Sequence, residues 1–252
     1  MLTSCEDILG EWDRPTPVTP SGGGSSGASV EYVAYTVSGS TATPSTKTAT
    51  AYTEVTNSTT TWAAGTYVVS SDVTIDGSVT LTGNVNLILC DGASLTISEG
   101  IPDVTYDLKI YGQSGGTGTI TTSSSLGHSI GVTNLEVHGG TLTASSSGDS
   151  GLEATNDFLL FNGTVNSTST AGAGIMTTAF KFYGGYVEAV GNSGSNGISY
   201  YGWPAADYIF NYSGATITYK TDDGTDTWGT TATITDGNGT QIAAQGVKFP
   251  VV

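Results

Sequence analysis

A set of rings and one thiol are the residues whose types and spacing could carry chemistry in this chain. Tyr111, His138, Phe161 and Tyr183 recur at one fixed place in four successive segments, three residues past the start of an apolar pair spaced two apart. Period two sends alternate side chains to opposite faces of a strand. If the pair faces inward, the ring beyond it points outward. Tyr186 follows just past the next corner, and Tyr201 and Trp203 lie where the last segment lengthens. A flat outward row of rings can stack on sugar faces while neighbouring Asn, Thr and Ser bond the hydroxyls. These residues are the predicted ligand-binding site. The competing expectations are that the rings stack on one another and stiffen the sheet, or that a flanking loop covers them.

Other chemistry is weaker. Inverting glycoside hydrolysis needs two carboxylates about 6.5–9.5 Å apart, and Glu153, Asp157 and Glu188 are the acids of the central segments that could approach one another. Asp222, Asp223 and Asp226, with Asp236-Gly237-Asn238-Gly239, offer oxygen ligands without the closing Glu of a calcium loop. Turn formation explains them as well, so no metal and no cofactor is predicted. Cys90 ends the alternating run Val85, Leu87, Leu89 and reads as a small buried residue, since His128 and His138 are distant in sequence.

The elements that must position the rings are repeated. From Leu135, apolar residues fall at offsets 0, 2, 7, 9 and 17: Leu135, Val137, Leu142, Ala144 and Leu152. Phe158, Leu160, Val165, Ser167 and Ile175 repeat the spacing, as do Phe180, Phe182, Val187 and Ala189, with Ile198 one residue late. Glycine stands at offset 5 in each unit, as Gly140, Gly163 and Gly185, and again before the last apolar residue, as Gly151, Gly174 and Gly197. The unit from Leu108 fits once Gln113-Ser114-Gly115-Gly116-Thr117 is taken as an insertion. Units of about 22 residues carrying three short period-two strands between glycine corners cannot bury their inner faces alone, but stacked coils can. The expected fold is all-β: a single-stranded right-handed parallel β-helix of about seven coils over residues 66–220. Residues 31–65 are expected to cap its first coil and residues 221–252 its last.

Composition limits the partners. The net charge is −16 with six Lys and Arg in total, so nucleic acid, anionic lipid and polyuronate are repelled rather than bound. No stretch is long and apolar enough to span a bilayer.

Two resemblances add to this reading. Leu2-Thr3-Ser4-Cys5 resembles a bacterial lipobox, and the following Glu6-Asp7 is similar to the acidic export signal of Bacteroidetes surface lipoproteins. The apolar core that precedes such a box is not among the four residues ahead of Cys5. The likeness implies lipidation at Cys5, with residues 1–30 forming the lipoprotein-type N-terminus and a Gly/Ser/Pro-rich linker. Residues 66–220 resemble right-handed β-helix proteins of the pectate-lyase-like fold. The runs Leu89-Cys90-Asp91-Gly92-Ala93-Ser94-Leu95-Thr96-Ile97 and Tyr111-Gly112-Gln113-Ser114-Gly115-Gly116-Thr117-Gly118 look like Bacteroidetes surface lipoproteins often labelled carbohydrate-binding. Pectin-cleaving members of that fold use a calcium-binding acidic cluster with a basic residue, or paired aspartates. No Arg lies in this repeat, and Thr155-Asn156-Asp157 and Gly127-His128-Ser129 match neither motif. The sequence therefore predicts a non-enzymatic lipoprotein at the cell surface or outer membrane, touching the membrane only through its lipid anchor. It would bind glycan or a surface protein. A polysaccharide-degrading enzyme and a structural stalk are the alternatives.

Overall fold

The computed structural model describes residues 29–193, 195–200, 209–211, 216–220, 230–233 and 246–249. Cys5, Tyr201, Trp203 and the acidic loops at Asp222 and Asp236 lie outside them. The chain is all-β, a parallel β-solenoid of about six turns spanning residues 61–199. No helix occurs among the described residues, and so none is long and apolar enough to cross a membrane.

Each coil contributes to three faces. The first is a parallel sheet through Gly65–Val69, Val85–Leu89, Leu108–Gly112 and Leu135–Val137, continued by the second halves of Leu152–Leu160 and Ile175–Phe182. The second runs through Val73–Ile75, Ser94–Ile97, Thr119–Ser124, Thr141–Ser146, Thr164–Ser169 and Tyr186–Val190. The third holds Ile101–Pro102, Ile130–Val132, the first halves of the two long strands, and Ile198–Tyr200. Val85 pairs with Leu108, Leu108 with Leu135, Leu135 with Phe158, and Phe158 with Phe180. Residues about 22 apart are therefore neighbours in space. The inward columns Leu142–Val165–Val187 and Ala144–Ser167–Ala189 are fully buried.

The repeated glycines are required by geometry. Gly163 has φ +90°, and a Cβ there would lie 2.4 Å from the Gly140 carbonyl oxygen of the coil below. The interior is not wholly apolar. Ser167 Oγ donates to the Gly174 carbonyl at 2.6 Å, so the hydroxyl at this small-residue position is satisfied.

The N-terminal end differs from expectation. The segment 31–65 was expected to lie over the first coil. Instead, β1 (Val30–Ser38) and β2 (Thr41–Ala49) form an antiparallel hairpin packed on the flank of the coils that carry Tyr111, His138 and Phe161. Parallel pairing already begins at Thr53, opposite Tyr67, and fully buried Trp62 stacks on Tyr67. At the other end, Thr216–Lys220 pairs antiparallel with Thr230–Thr233 and Gly246–Phe249, and the latter closes antiparallel on Tyr186–Val190. That reversal ends the parallel stack, which is why the solenoid has about six turns rather than the expected seven.

Candidate functional site

Because the first sheet is in register, the outward rings stand over one another. The ring centroids of Tyr111 and His138 are 4.5 Å apart, those of His138 and Phe161 4.6 Å, and those of Phe161 and Tyr183 5.1 Å. Interplanar angles of 18–27° make each contact a stack. The spacing is the coil-to-coil distance of a parallel sheet, roughly 4.8 Å. Four successive coils thus build one continuous aromatic column. Tyr186 lies across the corner, with its hydroxyl donating to Glu188 at 2.9 Å. Burial and then the Glu188 carboxylate push that phenol up to about 12.

The column is not an open strip. Tyr32 of β1 meets the Tyr111 ring edge-on at 4.8 Å, and Tyr35 lies parallel to Phe161, 3° between planes, at 5.8 Å. His138 is left 2% exposed and Phe161 5%, while Tyr111, Tyr183 and Tyr186 are partly exposed. The outward direction read from the sequence is correct for all four column residues. Solvent exposure is not found at His138 and Phe161, because the hairpin lies on them. The covering residues were missed: nothing local to Tyr32 or Tyr35 points to a partner about a hundred residues away.

A polar chain backs the column. The Tyr35 amide donates to His138 Nδ1 at 2.9 Å, and His138 Nε2 stands 3.0 Å from Glu136 Oε2. An imidazole that accepts at Nδ1 carries its proton on Nε2, so the ring donates to Glu136. Lys109 Nζ binds the other Glu136 oxygen at 2.9 Å. Burial alone would raise the Glu136 carboxyl. The hydrogen bonds from His138 and Lys109 outweigh it and hold the group below the usual carboxylate range. Burial, with Glu136 and Tyr32 nearby, pushes the Tyr111 phenol well up.

Next to the column, a shallow pocket of about 200 Å³ opens between the hairpin and the insertion loop, lined by Glu31, Tyr32, Val33, Thr46, Gln113 and Ser114. Asp91 fixes that loop, accepting from the amides of Gly115 at 2.9 Å and Thr117 at 3.0 Å. Gln113 Nε2 donates to the Glu31 carbonyl and so ties loop to hairpin.

The acids singled out for hydrolysis have different partners. Glu153 is buried against His128 Nε2, with Asp149 Oδ2 at 3.7 Å from the same nitrogen. Burial lowers the His128 imidazole, but the hydrogen bond and charge of Glu153, with Asp149 behind, more than reverse this and hold it above the usual histidine range. Asp157 pairs with Lys181 and Glu188 with Tyr186. Among the described residues, no group of three His, Cys, Asp or Glu side chains is placed to hold a metal ion. Cys90 is fully buried, and it is disulfide-bonded rather than the free thiol its run suggested.

No family model matches the chain, and neither a curated protein nor a solved structure is significantly similar to it.

Proposed function

We propose that the protein is a cell-surface protein whose solenoid binds a neutral glycan along its aromatic column. The observation that carries this reading is the stack of Tyr111, His138, Phe161 and Tyr183, ring over ring at the coil spacing. The column repeats at the coil spacing and lays a row of ring edges along one face, against which the apolar C–H groups of a repeating glycan can pack. The charge of −16 favours an uncharged sugar over a polyuronate. Tyr183 and Tyr186, partly exposed, are the rings a ligand reaches first.

On an array of neutral glycans, the wild-type domain should be retained, and Tyr183→Ala with Phe161→Ala should abolish retention. Unchanged retention in the double variant would exclude the column as the site. Product analysis on the retained glycans separates binding from cleavage.

The second reading is a structural or adhesive stalk, favoured by the burial of His138 and Phe161 under the hairpin. It is distinguished by a wild-type protein that no neutral glycan retains.

A further inference from the structure

We propose that the β1–β2 hairpin is a displaceable strap over the aromatic column, held closed by neutral His138 and released when that imidazole takes a second proton. The inference rests on the glycan-binding reading above, whose site it would regulate.

Tyr35 faces Pro44 across the hairpin, and Pro has no N–H to offer the ladder. At such a non-hydrogen-bonded pair the Tyr35 amide points out of the hairpin, and it is His138 Nδ1 that accepts it, at 2.9 Å. This single bond joins residues 103 apart in sequence and requires a lone pair on Nδ1. The other nitrogen is already committed to Glu136, whose second oxygen is held by Lys109 of the coil below. Those two donors keep Glu136 ionised in mild acid, so a second proton on the imidazole must go to Nδ1. It would then stand against the Tyr35 N–H, donor against donor, at a side chain only 2% exposed.

The remaining groups around the ring do not offset the change. Tyr111 and Phe161 flank it as stacked rings, and Tyr32 contacts Tyr111. Glu31 enters through its carbonyl, bonded to Gln113, and Lys47, in register with Tyr32, is exposed. Release would uncover the outer edges of His138 and Phe161 and so lengthen the accessible side of the column.

The test is hydrogen exchange on the full chain, read on the Tyr35 amide, which is bonded to the solenoid and not to β2, at about pH 8 and about pH 5 after correction for intrinsic rates. In the wild type, protection should fall at least about tenfold on acidification while the solenoid strands stay protected. His138→Asn places a non-titrating acceptor at the Nδ1 position and should keep the Tyr35 amide protected at both values. His138→Phe keeps a ring without the acceptor and should leave it weakly protected at both. Equal wild-type protection at the two values would overturn the strap, whatever the variants do. The same acid loss in a folded His138→Asn protein would overturn the role of His138. Neutral-glycan retention is measured in parallel: acid opening without any retention keeps the strap and removes the glycan reading, whereas retention without opening does the reverse.

Discussion

Asn134 stands directly over Asp107, its Nδ2 donating to the Asp107 carboxylate at 2.7 Å. The same side chain reaches upward, its Oδ1 accepting the Asp157 amide at 3.3 Å, and Asn84 Oδ1 takes the Asp107 amide at 3.1 Å. Asn84, Asp107, Asn134 and Asp157 each precede the first apolar residue of their coil's first-face strand, so together they form a polar ladder up one corner. Asn134→Ala removes two rungs and leaves Asp107 and the Asp157 amide without this partner. The expected cost is about 1–3 kcal/mol, read as a lower denaturant midpoint with an unchanged slope. A change below about 0.5 kcal/mol would show that the ladder is ornamental.

The offset-5 glycines should be intolerant for two separate reasons. Gly163→Ala meets both a left-handed backbone and a carbonyl that cannot move without shifting the coil below. We expect a loss of about 2 kcal/mol or more, since strain at such a position exceeds the entropy gained. Gly127 has open space around the position of a Cβ and no positive φ, so Gly127→Ala should be nearly neutral. Thermal unfolding of the two variants side by side checks this.

The His128–Glu153 pair gives a pH dependence of stability. The folded imidazole titrates above its ordinary value. Its contribution is therefore complete below the ordinary histidine pKa of about 6.5 and declines as pH rises through the raised folded value. His128→Gln should cost about 1–3 kcal/mol in mild acid, and the gap to wild type should narrow above neutrality. Denaturant unfolding across that range tests the sign, which a gap widening with pH would contradict.

These residues also show what a sequence of this kind makes legible. Leu135, Phe158 and Phe180 could be placed over one another because period-two strands and a unit of about 22 residues leave few other ways to bury them. The outward ring column follows from the same count. Its cover does not, because the hairpin is held by ring packing, by the Gln113–Glu31 bond and by one amide that meets an imidazole 103 residues away. No local pattern encodes a contact of that kind. The Asn/Asp ladder was legible in principle, one polar residue ahead of every unit, but these types also serve turns. The insertion at Gln113–Thr117 was visible as a loop, whereas its clamp, Asp91, was hidden among ordinary corner residues.

The register itself can be measured directly. Thr143 and Asn166 are partners on the outer side of the second sheet, and Thr168 lies two residues further along the upper strand. Strands about 4.8 Å apart bring the Cα atoms of a matched pair within disulfide range, and a two-residue offset takes them out of it. In a background with both native cysteines replaced (Cys5→Ala, Cys90→Ala), mild oxidation should close the Thr143→Cys/Asn166→Cys pair and leave Thr143→Cys/Thr168→Cys open. Closure of the offset pair with the matched pair left open would mean that the coils do not stack as described.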